Sequence, residues 1–223
     1  MGDLTRTQAR DELWLSLERH NDVDPATTPG QTQLNRWLDQ AYKHISLPST
    51  YRHPELQTSD DLALTAGVAS VALNSTNWVV DHILNVSANR NLKAVTKEAL
   101  DRFNTTTTGM PSIYARWGNT IYFNRTPDAS MTGQIFRAFV YVIPTALASD
   151  GAKTLLRAVF DEPWIEYAAA LAWRRLGDFA RSDAHRESYA ALINDIRGLD
   201  IIDGYQDTTG FQIEPLQDDY MPS

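Results

Sequence analysis

Two glutamates four residues apart, Glu162 and Glu166, are the nearest approach in this sequence to a catalytic pair. On a helix that spacing puts both on one face. Paired carboxylates are what glycoside hydrolysis needs, one as acid and one as base or nucleophile. Acids at a helix start also serve the peptide dipole, and that electrostatic use is the expectation here. The five histidines, His20, His44, His53, His82 and His185, include no pair at i, i+4, so the helical zinc-protease pattern is missing. Asp60-Asp61 and Asp218-Asp219 could ligate a hard cation, yet each reads as a solvated loop. The sequence has no Gly-x-Ser-x-Gly elbow, no phosphate-cradling Walker loop and no Gly-x-Gly-x-x-Gly. Catalytic, cofactor-binding and metal-ligating residues are therefore all expected to be none, and no cofactor is expected.

Composition narrows the classes further. Cysteine is absent, which excludes disulfides, thiolate metal sites and a cysteine nucleophile, and fits synthesis in a reducing cytoplasm. The net charge of −8 and a pI near 5.0 oppose tight nucleic-acid binding, which needs clustered Lys and Arg. The densest basic group is only Arg174-Arg175 with Arg181. No apolar run is long enough to span a bilayer, and Met1-Gly2-Asp3-Leu4 carries no apolar stretch of the kind a secretion signal needs. The Asn-x-Ser/Thr matches at Asn74, Asn85, Asn104 and Asn124 read as accidents of loop composition. Six Trp and nine Tyr supply anchors for a core or for protein interfaces.

The elements run helices, strands, helices, tail. Thr5-x-x-Gln8 is a capping box opening a helix with Ala9, Leu13 and Leu17 at i+4 spacing, expected to end near His20. Asn21 to Gly30 reads as a linker. Leu34, Trp37, Leu38, Ala41, Tyr42 and Ile45 form a continuous apolar stripe on a second helix, with Thr32 and Asn35 suited to its start and Pro48 ending it. Strand-prone runs follow at Leu62–Leu64, Val68–Leu73, Trp78–Val86, Ile113–Trp117, Thr120–Phe123 and Gln134–Ile143. Trp117-Gly118-Asn119-Thr120 suits a type II′ hairpin. Ile135, Arg137, Phe139, Tyr141 and Ile143 share one strand face, and Thr96 to Phe103 suits a short helix. Pro163 opens a helix whose stripe is Trp164, Ile165, Ala168, Ala169, Ala172 and Leu176; Gly177 can cap it and Asp178 can open the next. That last helix carries Tyr189, Ile193 and Ile196 and is expected to stop at Gly198.

The predicted fold is α+β: a bundle of about four main helices drawn from both ends of the chain, residues 1–50 and 148–200, with an inserted strand-rich region at 51–147. Each helix has only one apolar stripe to bury, so the two ends must meet. Leu34, Trp37, Leu38, Tyr42, Trp164, Ala168, Ala172 and Tyr189 are the expected core. Residues 201–223 are acidic and broken by Gly and Pro, yet keep Ile201, Ile202, Tyr205, Phe211, Ile213, Leu216 and Tyr220. That mixture predicts an extended arm that orders on binding. Phe211 and Ile213, alternating with Gln212, suit a strand added to a partner's sheet edge.

The whole pattern resembles the head-to-tail adaptor (connector, head-completion) proteins of tailed bacteriophages, over roughly Thr5 to Asp200. Three stretches carry the resemblance. The first is Leu34-Asn35-Arg36-Trp37-Leu38-Asp39-Gln40-Ala41. The second is Gly109-Met110-Pro111-Ser112-Ile113-Tyr114 with Gly118, Ile121-Tyr122-Phe123 and Pro127. The third is Pro163-Trp164, Ala168-Ala169-Ala170-Leu171-Ala172 and Leu176-Gly177-Asp178, continuing into Ala184-His185 and Tyr189. One departure is Arg125, where many members carry the first proline of a Pro-x-Pro pair. The resemblance implies a virion protein at the head–tail interface and no enzyme. About twelve copies would form a ring under the portal. Its partners would be the portal protein, tail (nozzle or tube) proteins and further copies of itself. DNA would pass through its channel without tight binding, and no membrane would be involved. The arm would then bind portal or a neighbouring subunit. Three other readings stay open: a tail-tube or tail-completion protein, a peptidoglycan-cleaving virion enzyme using Glu162 and Glu166, and a generic cellular helical adaptor.

Overall fold

A computed structural model describes residues 2–18, 23–74, 78–103, 107–131 and 133–202. It is α+β, with five α-helices and two β-sheets. The chain divides into two compact units: a helical one, up to Leu56 and again from Ile143, and a strand unit, Gln57–Val142.

In the helical unit, α1 (Arg6–Ser16) opens on the predicted capping box: Thr5 accepts from the Gln8 backbone while the Gln8 side chain bonds back to the Thr5 N–H. The helix stops at Ser16, before the expected end near His20, because Leu17 closes the last turn and Glu18 swings to a φ of 53°. His20 itself lies outside the described residues. Helix α2 (Thr28–Ile45) starts earlier than Thr32. Thr27 caps it, Pro29 sits in the first turn where its missing N–H is harmless, and Gly30 packs on the Asp24 backbone. A Cβ at Gly30 would stand 2.1 Å from the Asp24 carbonyl oxygen, so only glycine lets the linker fold back over the helix start.

The whole α2 stripe, Leu34, Trp37, Leu38, Ala41, Tyr42 and Ile45, is buried. It packs against α1 and α4 (Asp161–Leu176), and α4 also contacts α1 and α5 (Phe179–Ile202). The alanines Ala168, Ala169, Ala170 and Ala172 are fully or almost fully buried. Their small side chains let the backbones approach, while Trp164 fills the space between α2 and α4. Gly177, at φ 89°, is the left-handed cap expected of it, and Asp178 accepts from the Arg181 N–H to open α5. Ile193 and Ile196 are buried, but Tyr189 is only partly so. Helix α5 does not stop at Gly198. Its backbone continues to Ile202, since one glycine inside a helix costs only about 1 kcal/mol.

The strand unit holds β1 (Gln57–Leu62), β2 (Ser70–Ala72), β3 (Trp78–Asn85), β4 (Arg90–Asn91), β5 (Lys93–Ala94), the short helix α3 (Lys97–Leu100), β6 (Ile113–Trp117), β7 (Thr120–Phe123) and β8 (Phe136–Val142). One sheet is ordered β1-β8-β3-β4 and the other β2-β7-β6-β5; among the described strands β5 and β6 alone pair in parallel. The β6–β7 hairpin lies where the sequence put it, with Gly118 at φ 59°. The expected strand at Leu62–Leu64 is corrected: the strand precedes it, at Gln57–Leu62, and is held by the β8 ladder instead of by an apolar face. The core side of β8 is Phe136, Ala138 and Val140, opposite the Arg137/Phe139/Tyr141 face. These three join Leu62, Val80, Ile83, Tyr114, Ile121 and Phe123 in one apolar cluster.

Candidate functional site

Among the described residues, the chemistry-bearing side chains do not converge. Glu162 is exposed in the first turn of α4, whereas Glu166 lies 2.9 Å from Nδ1 of His185 on α5. Each carboxylate thus has its own surroundings, one in solvent and one tying two helices together. His44 stacks on Tyr167, with ring centroids 4.1 Å apart, and Tyr189 leans against both rings. Burial, then the nearby Arg186, pushes the His44 pKa down. His53 is fully buried between Tyr51 and Phe160, its Nε2 placed 3.0 Å from the Ile45 carbonyl oxygen. Burial drives its pKa down to about 4, against the carbonyl contact and reinforced by Arg157. His82 sits beside Asp81 in the strand unit. Asp60 accepts from Asn74, and Asp61 forms a two-point pair with Arg137. Among the described residues no group of three or more His, Asp or Glu comes together as a metal site. No helix among them is long and apolar enough to cross a membrane. Asn85 and Asn124 are buried, and their amides organise turns: Asn124 Oδ1 accepts from Ser112 and Ile113, and Asn85 Oδ1 from Ala88.

Sequence reasoning passed over a second set of polar residues that join distant parts of the helical unit. The buried Asp161 carboxylate accepts from the backbone N–H groups of Asp3 (2.7 Å) and Leu4 (3.0 Å). Arg6 donates to Asp39 and to the Leu147 carbonyl, while the Leu147 N–H donates to the other oxygen of Asp39. Arg10 is buried and reaches Asp150. Trp164 Nε1 donates to the Leu38 carbonyl, and the Leu155 N–H donates to the Tyr42 hydroxyl. Of this network the sequence named Leu38, Tyr42 and Trp164 only as core, and Leu38, Asp39 and Trp164 fall inside stretches that carried the family resemblance.

Two concavities bear on function among the described residues. Along the outer side of α2 runs a groove of about 490 Å³ lined by Arg6, Asn35, Arg36, Asp39, Gln40 and Lys43, among others. In the strand unit a smaller one, about 280 Å³, is lined by Asn85, Arg90, Met110, Pro111, Ser112 and Arg125, among others. Large apolar side chains also face solvent: Phe179 and Leu199 on α5, and Trp117 at the tip of the β6–β7 hairpin. Such exposed aromatics suit contact with other proteins. Of the predicted arm residues, Ile201 and Ile202 end the α5 backbone, with side chains outside the described residues. Tyr205, Phe211, Ile213, Leu216 and Tyr220 lie outside them altogether, as do Asp218 and Asp219.

A protein-family model described as SU10 adaptor protein matches residues 2–210, nearly the whole chain. Among curated proteins none matches this sequence.

Proposed function

This chain belongs to the SU10 adaptor protein family, a phage head-to-tail adaptor family, and we propose that copies of it form the ring that joins portal to tail. The family match over residues 2–210 carries this reading. About twelve copies dock on the portal, extend the DNA channel and present the attachment site for the tail. In this reading α1, α2, α4 and α5 act as a four-helix bundle carrying the strand unit, and residues 201–223 form the arm that grips portal or a neighbouring subunit. An arm that orders only on binding loses conformational entropy at that step, which repetition around a ring offsets by avidity.

The role is structural and not catalytic. Glu166 is engaged by His185, and Glu162 stands alone in solvent. The net charge of −8 suits a channel that lets DNA slide without gripping it. The experiment is electron microscopy of purified protein mixed with portal rings, using the full chain and a chain lacking residues 201–223. Full-length protein should crown the portal, and the truncated chain should stay soluble and folded but fail to dock stably. Binding to tail tube in place of portal would assign it to tail completion instead. A lytic band in a peptidoglycan gel, lost on Glu162→Gln/Glu166→Gln, would overturn the structural reading.

A further inference from the structure

The groove along α2 is positively charged in an acidic protein. Arg36 and Lys43 lie on its exposed side and make no ion pair among the described residues. Asp39, the one acid in the lining, is already neutralised by Arg6. Two cations therefore stand uncompensated on one face, since positions 36, 40 and 43 follow the helical repeat. Within Arg6 itself, Nε is buried without a hydrogen-bond partner among the described residues.

The complementary charge belongs to this same chain. Residues 203–223 contain Asp203, Asp207, Glu214, Asp218 and Asp219 and no Lys, Arg or His, so they carry five of the eight net negative charges. The structure also fixes where that segment starts. Arg197 of α5 donates to the Thr50 carbonyl, and the Thr50 hydroxyl donates to the carbonyl of His44, the neighbour of Lys43. The Arg197 turn of α5 thus reaches the loop that follows α2, beyond the helix end at which Lys43 stands. From Lys43 to Thr32 the groove is about 17 Å long at 1.5 Å per helical residue. The roughly 16 residues from Ile202 to Asp218 can reach about 55 Å when extended, which covers its full length. The free edge of β1 is a poor competitor, because Arg137 is already held by Asp61 and the Asp60 charge, bonded only to the neutral Asn74 amide, would repel an acidic strand.

We propose that in the unassembled subunit the acidic segment Glu214–Asp219 lies in the Arg6/Arg36/Lys43 groove of its own chain. Parked there, the arm's apolar residues are kept from premature contact with other copies. This does not depend on portal being the arm's eventual partner.

The test is zero-length carbodiimide coupling of the full-length protein, which joins a carboxylate to a lysine amine only where the two touch. The chain has four lysines, Lys43, Lys93, Lys97 and Lys153, so the others serve as internal controls. Mass spectrometry of the monomer band should find Lys43 joined to Glu214, Asp218 or Asp219. That product should disappear in high salt and in Arg36→Glu. Its equivalent should return when Lys43→Glu is combined with Asp218→Lys and Asp219→Lys. Coupling in a mixture of isotope-labelled and unlabelled protein tells the source of the arm. Products confined to one label support the proposal, while mixed-label products, or coupling no greater at Lys43 than at the three controls, overturn it.

Discussion

The helical unit and the strand unit close the chain on itself in different ways. In the helical unit, residues far apart in sequence are joined by single side chains: Asp161 to the Asp3 and Leu4 backbone, Arg6 to Asp39 and Leu147, Trp164 to Leu38, and Tyr42 to Leu155. In the strand unit the equivalent closure, from Gln57 to Tyr141, is a backbone ladder between β1 and β8. Ladder bonds come from the peptide group and ask little of residue identity; a side-chain tie depends on one residue. Polar substitutions at the closure should therefore be felt in the first unit and forgiven in the second, which is sensitive instead to apolar volume and, at its turns, to the buried amides of Asn85 and Asn124.

Phe136→Ala, in the middle of the strand unit's apolar cluster, should cost about 3–5 kcal/mol by urea unfolding. A loss near 1 kcal/mol would mean that the two sheets share less core than their burial indicates. Acid should act on the helical unit next. Both His53 and His44 have depressed pKa values there, so the folded state holds them neutral while the unfolded chain takes up protons. The His53 contribution is intact above pH 6.5 and is lost as pH falls from there to about 4, amounting to about 3 kcal/mol at most. His53→Gln keeps an amide donor for Ile45 and removes the titration. Its urea midpoint should fall less than that of the wild type across this window, and parallel curves would exclude His53 as the cause.

Asp161→Ala leaves two backbone N–H groups without their acceptor and should lower stability by about 2 kcal/mol. It should also speed amide hydrogen exchange at Asp3 and Leu4. Asp61→Ala, which removes an exposed ion pair from the strand unit, should leave the melting temperature unchanged, as surface pairs usually do. Equal effects from the two aspartates would erase the distinction between the units.

The same contrast explains what could be read in the sequence. The α2 stripe, the Thr5 capping box, the Gly177 cap and the β6–β7 hairpin are local patterns, and each is present where periodicity or turn chemistry placed it. Strand β1 was not legible, because Gln57-Thr58-Ser59-Asp60-Asp61 is exposed on nearly every residue and owes its shape to a partner some eighty positions away. The start of α2 was misplaced because Pro29 and Gly30, usual signs of a break, are accommodated by the Thr27 cap and the packing on Asp24. Asp161 was overshadowed by Glu162 and Glu166, whose spacing drew attention while the buried neighbour made the contacts. The α2 groove, by contrast, needed the fold to be seen. Its cations are separated by 30 or more residues at Arg6 and Arg36, and nothing in the spacing says that they share a surface.

The first and last strands of the strand unit, β1 and β8, are hydrogen-bonded neighbours, with Gln57 opposite Tyr141. Paired residues on adjacent strands stand about 5 Å apart, so the chain leaves the helical unit and returns to it through nearly one point. Joining Leu56 to Ile143 through a short turn would therefore close the gap at little entropic cost. The junction is thus a single narrow crossing at which an engineer could shorten the insertion or graft another domain, with both cut ends already adjacent.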